Sequence, residues 1–160
     1  MIGTLPGEPV CLHCEEKCIP KIMPARREHV TLREKVKVKL EEMCIAGVLV
    51  KVDKPTDLVS QMVVTEKKSG NFRIRLDLRP LNYVLNREQY TLPTLEDMLT
   101  RLSDAKVFTK LDLANGYWHV PMEEESSYLT TFITDHGSFR WLRLPFRIST
   151  SSEIFLKRMH

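Results

Sequence analysis

Lys110-Leu111-Asp112-Leu113-Ala114-Asn115-Gly116-Tyr117-Trp118 is the stretch on which the reading of the fold turns. An apolar run ends in a single acid, and a turn of small residues bearing two aromatic rings follows at once. A carboxylate so placed can hold a divalent cation while backbone N–H groups and a ring shape a pocket beside it. By itself Asp112 also suits a plainer role, because an aspartate after a strand commonly forms a turn or caps a helix. The surroundings have to decide.

Upstream, Val107 to Leu113 reads as an apolar strand. Pro93-Thr94 opens a helix with Leu95, Met98, Leu99 and Leu102 on one face. Further back, Met62 to Glu66 and Phe72 to Asp77 read as strands around Lys68-Ser69-Gly70-Asn71, a glycine-containing hairpin turn. Phe72, Ile74 and Leu76 alternate with Arg73, Arg75 and Asp77, so one face can be buried and the other charged. Thr31-Leu32-Arg33-Glu34 has the form of a capping box. Leu32, Val36, Leu40 and Met43 then follow at helical spacing, Gly47 supplies a stop, and Val48 to Val52 is a short strand. Residues 1–30 carry Pro6, Pro9, Pro20 and Pro24 without a helical period and read as an extended arm. Downstream, Tyr128 to Thr134 and Ser138 to Leu142 form a second hairpin around Asp135-His136-Gly137. Ser151 or Ser152 caps a final helix running to His160. Strand pairs mixed with helices, without regular alternation, point to an α+β fold.

A chain of 160 residues suits one domain, and 42% apolar residues can supply its core. No apolar run approaches the roughly 20 residues a membrane span needs. The first residues lack the basic and apolar blocks of a signal peptide. The expectation is an intracellular location, cytoplasmic or nuclear, with no membrane partner. A net charge of +3 does not itself argue for nucleic acid. Its distribution says more, since Lys67 to Arg79 holds five basic residues against one acid, although composition alone reads that run as a solvated hairpin face. Cys11, Cys14 and Cys18 contain a Cys-x2-Cys half-site for zinc, but His29 and Cys44 are too scattered to complete it. Free thiols are the expectation.

Glu66 to Asn82, whose centre is Phe72-Arg73-Ile74-Arg75-Leu76-Asp77-Leu78-Arg79-Pro80-Leu81-Asn82, and the stretch around Asp112 together resemble the reverse transcriptases of gypsy-like LTR retrotransposons and retroviruses. The resemblance runs roughly from Gly7 to His160. Leu144-Pro145-Phe146-Arg147-Ile148-Ser149 is similar to the family's Leu-Pro-Phe-Gly-(Leu or Ile)-Ser-x-Ala-Pro. It departs at Arg147, where the family has glycine, and at Thr150-Ser151-Ser152-Glu153, where Ser-Ala-Pro-Glu is usual. The family's second acidic motif, Tyr-x-Asp-Asp, lies beyond His160.

The resemblance implies a right-hand polymerase. After the arm of residues 1–30, fingers would cover about 31–86 and 120–150, and the first part of the palm about 87–119 and 151–160. The implied chemistry is that of an RNA-directed DNA polymerase: a primer 3′-OH attacks a deoxynucleoside triphosphate (dNTP) on a template. The remaining palm, the thumb and an RNase H would be further segments of a polyprotein. In this reading Asp112 holds Mg²⁺ as one carboxylate of a site that two later aspartates complete. Leu113, Ala114 and Asn115 turn their backbone to the triphosphate. Tyr117 excludes a ribose 2′-OH, though without the resemblance it reads equally as a core aromatic. Arg73 grips the triphosphate together with Lys67 or Lys68, the hairpin register leaving open which one. Asp77, Arg79 and Asn82 stand on the template side, with Asp77 positioning its basic neighbours. Phe146 packs on the incoming nucleotide. Glycine at the next position would permit close approach or positive φ, whereas Arg147 adds bulk and charge. The expectation is a piece of a polymerase, inactive alone. The alternative is a decayed or reused piece, acting at most as a weak nucleic-acid-binding module, which Arg147 and the altered Ser-Ala-Pro stretch favour.

Overall fold

The computed structural model describes residues 2–14, 21–27, 29–66, 72–86, 91 and 93–159. The fold is α+β, built on one mixed sheet. Its hub is β3 (Leu58–Glu66), long enough to serve three partners. β4 (Phe72–Asp77) pairs antiparallel with it, Thr65 opposite Arg73 and Gln61 opposite Asp77. β5 (Phe132–Thr134) runs parallel to β3, with Ser60 opposite Phe132. β6 (Gly137–Trp141) pairs antiparallel with β5, and β2 (Leu49–Lys51) closes the order on β6. The expected hairpin of β3 and β4 is present. Its turn, with Lys67 and Lys68, lies outside the described residues.

Helix α1 (Val30–Ile45) covers this sheet. Val36, Leu40 and Met43 are buried and Leu32 packs against the core, as their spacing requires. Each such burial contributes about 1.5–3 kcal/mol. The stop is Gly47 at φ +72°, with its N–H bonded to the Cys44 carbonyl (3.0 Å) and the Val48 N–H to that of Met43 (2.9 Å). This left-handed residue satisfies carbonyls the last turn would otherwise leave open. Leu40, Leu49, Leu78, Leu81, Val120, Phe132 and Leu144 fill the centre. The extended arm is clipped onto this body. Its Leu5 and Val10 N–H groups bond the carbonyls of His119 (2.7 Å) and Pro121 (2.9 Å). Val10 and Leu12 are buried, and β1 (Lys21–Ile22) runs parallel to the start of β3.

Five points of the sequence reading need correction, one of them an omission. The α1 N-cap is His29, without a side-chain cap bond; Thr31 joins the first turn and the Thr31–Glu34 box does not form. Tyr128 and Leu129 belong to helix α4 (Glu124–Leu129), so β5 starts only at Phe132. Hydroxyls close that helix, Thr130 Oγ1 donating to the Ser127 carbonyl (2.7 Å) and Thr131 Oγ1 to that of Tyr128 (2.6 Å). This is local competition that a β-branched run conceals. Ser151 and Ser152 lie inside α5 (Ser151–Met159), and Ser151 Oγ donates to the Pro145 carbonyl (3.0 Å) instead of capping. A short helix unforeseen in the sequence, α2 (Arg79–Val84), follows β4, with Pro80 in its first turn, where a missing N–H costs nothing.

The fifth correction is the largest. Val107 to Leu113 is not a strand: it is irregular and exposed. A strand exists through ladder hydrogen bonds, and no described strand lies alongside to supply them. Helix α3 (Leu95–Leu102) before it does form, with Thr94 and Asp97 in a complete capping box. No helix of the described residues is long and apolar enough to cross a membrane.

Candidate functional site

The site lies along β4 and takes residues from both of its faces. Arg73, Arg75 and Asp77 share one face of β4, and Phe72, Ile74 and Leu76 share the other. A cleft of about 600 Å³ opens beside this strand. Five of the candidate nucleotide residues meet in its lining: Arg73, Asn115, Tyr117, Phe146 and Arg147. Lys39, Arg75, Trp118 and Trp141, which the sequence did not nominate, line it as well. Among the described residues the lining holds four cationic side chains and no acidic one. Lys39 is partly neutralised by Glu42 at 2.9 Å.

Aromatic packing shapes the far wall. The Tyr117 ring lies 4.8 Å from that of Phe146 and 5.3 Å, edge-on, from that of Phe155. Its hydroxyl shares a hydrogen bond with Ser152 Oγ at 3.1 Å. Asn115 adopts the left-handed conformation (φ +52°) that turns the chain into a 3₁₀ turn, Gly116–His119. A Cβ on Gly116 would sit 3.0 Å from the Phe155 ring, so close packing of that ring requires glycine. Tyr117 packs against the core and also lines the cleft.

The loop after β6 is held from both ends. Leu144 and Ile148 are buried, while Phe146 and Arg147 between them are exposed. The Asn82 side chain clamps the loop, its Nδ2 donating to the Arg147 carbonyl (2.8 Å) and its Oδ1 accepting from the Ser149 N–H (2.9 Å). Arg147 stands at φ +77°. The backbone therefore keeps the conformation glycine prefers, although the residue is arginine. Asn82 has a structural task here that the sequence did not suggest.

Asp77 and Arg79 form a fork. Arg79 Nε donates to Asp77 Oδ1 at 2.8 Å, and a second guanidinium nitrogen meets Oδ2. Hydrogen bonds from the Arg79 side chain hold the Asp77 carboxyl below the usual carboxylate range. Both residues, with Asn82, line a second, polar cleft of about 380 Å³, joined there by Arg26, Gln61, Arg75 and Arg147.

Asp112 lies in the exposed irregular segment, and its carboxylate makes no hydrogen bond or ion pair with the other described residues. Leu113 and Ala114 follow it, exposed, the Ala114 carbonyl 3.3 Å from His119 Nε2. Among the described residues no three His, Cys, Asp or Glu side chains come together as a metal site. Cys11 and Cys44 are free thiols; Cys18 lies outside the described residues. Lys67 and Lys68 also lie outside them, so the expected lysine partner of Arg73 is not placed.

Known proteins share this architecture. A family profile for reverse transcriptase (RNA-dependent DNA polymerase) matches residues 65–160. The chain is 34% identical over 103 residues to the retrovirus-related Pol polyprotein from transposon 412 of Drosophila melanogaster, covering 61% of this chain and 8% of that protein. It is 31% identical over 97 residues to polyprotein P3 of Commelina yellow mottle virus, covering 61% and 5%. The crystal structure of prototype foamy virus protease–reverse transcriptase superposes with a TM-score of 0.81 at 21% identity, over 99% of this chain and 21% of that one. The foamy viral enzyme in complex with an RNA/DNA hybrid gives 0.80 at 18%, over the same shares. At these identities the structural likeness is one of fold. The chain spans a small part of each of these relatives.

Proposed function

The chain belongs to the reverse transcriptase family, and on that premise we propose that it forms the nucleotide-gripping and template-facing part of an RNA-directed DNA polymerase of a gypsy-like element. The observation that carries this reading is the cleft beside β4, lined by Arg73, Arg75, Arg147 and Lys39 with no acid among the described residues. A triphosphate is a polyanion, and guanidinium forks match its oxygens bidentately. Tyr117 and Phe146 supply flat apolar surface for the sugar and base, and the backbone of Leu113, Ala114 and Asn115 borders the phosphates. Lys67 or Lys68 would add a mobile charge from the hairpin tip. In this reading the fingers are residues 31–86 and 120–150, and the palm begins in 87–119 and 151–160.

The residues present fit magnesium in part. Asp112 offers a hard carboxylate that no other described residue engages, which is one ligand of the kind Mg²⁺ takes alongside substrate phosphate. When bound, the metal would stabilise charge on the attacking and leaving oxygens. One carboxylate does not make a two-metal site, so the chain alone should not extend a primer. Downstream palm, thumb and RNase H segments of a polyprotein would complete the enzyme. The template strand would lie along Asp77, Arg79 and Asn82, with Arg79 on its phosphates.

Both tryptophans of the chain line the cleft, which makes their emission the readout. Titration with dTTP should change it, and Arg73→Ala should weaken the response about tenfold. No response from the unaltered chain, or an unchanged titration in Arg73→Ala, would remove the cleft from nucleotide binding. A primed RNA template with Mg²⁺ should give no extension. Extension that vanishes in Asp112→Asn would show a self-sufficient active site.

A further inference from the structure

Arg147 lines both clefts, and so do Arg75 and Leu76. β4 pairs only with β3 among the described strands, and its Arg75 and Leu76 border both clefts. Among the described residues the second cleft carries Arg26, Arg75, Arg79 and Arg147 against one acid, Asp77. That acid is already engaged by the Arg79 fork. Among the described residues, the side chains of Arg26, Arg75 and Arg147 make no hydrogen bond or ion pair. Guanidinium groups that line one cleft without an acidic partner among the described residues repel one another unless an anion lies between them.

The backbone under Arg147 is set by its surroundings. Asn82 holds the carbonyl and the Ser149 N–H, Leu144 and Ile148 are buried on either side, and Ser151 Oγ holds the Pro145 carbonyl. An L-residue at φ +77° costs stability that glycine would not. Strain of this kind persists where the surrounding structure over-determines it, and it is a reason to look for a function of the side chain.

We propose that Arg147 and Arg75 form a phosphate-holding pair on the ridge between the two clefts, so that the residue departing from the family's glycine gains a contact instead of obstructing one. The proposal rests on the nucleotide and template reading of the clefts and goes further in naming the ridge. The ligand chemistry is a phosphate group, either a phosphodiester of a strand in the polar cleft or the triphosphate of a nucleotide in the larger one.

The test uses the whole chain and two probes, a short single-stranded oligodeoxythymidine and dTTP, each titrated across a range of salt. Arg147→Gly should raise the melting temperature by relieving φ strain, yet weaken binding of one probe by about three- to tenfold. If that probe is the oligonucleotide, the slope of log affinity against log salt should fall by about one, and the phosphate belongs to a strand. If it is dTTP, the phosphate belongs to the nucleotide. Arg75→Ala should weaken the same probe as Arg147→Gly, and Arg147→Lys should recover only part, because an ammonium lacks the fork. Arg147→Gly with affinities and slope unchanged for both probes, while Arg73→Ala or Arg79→Ala still weakens them, would overturn the ridge and leave the wider reading standing. Failure of the unaltered chain to bind either probe would overturn both.

Discussion

Helices α1 and α3 each present a row of apolar residues at helical spacing, though in α1 Val30, Val38 and Ile45 stand off that row and are exposed, and the fold treats the two rows in opposite ways. In α1, Val36, Leu40 and Met43 are 0%, 1% and 5% exposed. In α3, Leu95, Met98, Leu99 and Leu102 are 71%, 50%, 58% and 42% exposed. The segment after α3 continues the pattern, with Val107, Phe108, Leu111 and Leu113 all exposed. Amphipathicity states that a helix has a face to cover; it does not state what covers it. The α1 stripe meets β2 and the core, whereas the α3 stripe meets no cover among the described residues. α3 is then held mainly by its capping box, and a helix of eight residues is marginal on such terms. Asp112, the one candidate metal ligand, sits in the uncovered region, while the cleft residues sit on the covered one.

The sharpest way to break this comparison is a pair of truncations. Phe132 is fully buried, with its ring stacked 5.9 Å from that of Phe139. Phe132→Ala should cost about 3–5 kcal/mol in denaturant unfolding. Leu99→Ala should cost less than about 0.5 kcal/mol. Similar costs for the two would mean that α3 is covered in solution. Hydrogen exchange tests the same contrast without mutation. Amides in β3 and β6 should exchange about a thousandfold more slowly than those in 105–113, because only the former lie in a laddered sheet. Uniformly slow exchange would show that 105–113 finds a partner, and the apolar surface there makes a second copy the first candidate to examine.

A subtler effect concerns the α3 cap. Thr94 Oγ1 accepts from the Asp97 N–H at 3.2 Å, and the Asp97 carboxylate accepts from the Thr94 N–H at 2.9 Å. Thr94→Ala should remove about 1 kcal/mol from α3 alone, read as faster exchange of 95–102 with global stability unmoved. A global loss of the same size would tie α3 to the main cooperative unit.

The smallest effect is at the Asp77 fork. Its carboxyl lies below the unfolded carboxylate value of about 3.9. The contribution is therefore complete above that pH and is lost as pH falls through the lower folded value. Carbon-detected titration should place the Asp77 midpoint below about 3.9, and Arg79→Ala should return it upward. An unmoved midpoint would assign the shift to something other than the fork.

Some of this protein was legible in its residues alone. The β3–β4 hairpin, the α1 stripe with its Gly47 stop, and the opening of α3 at Pro93-Thr94 follow from periods and turn chemistry that act within a few residues, whereas the Thr94–Asp97 box was not read from the sequence. The family resemblance at Phe72–Asn82, Lys110–Trp118 and Leu144–Ser149 carried the site, and the fold brings five of its nucleotide candidates into one cleft. Other features depended on distance in space. Lys39 reaches the cleft from α1, Arg26 lines the polar cleft from the arm, and Asn82 spends its amide on a loop more than sixty residues away. Val107 to Leu113 shows the limit most plainly. Its composition suits a strand, but a strand is a relation between two chains of hydrogen-bonding groups, and only the tertiary structure determines whether the second chain is there.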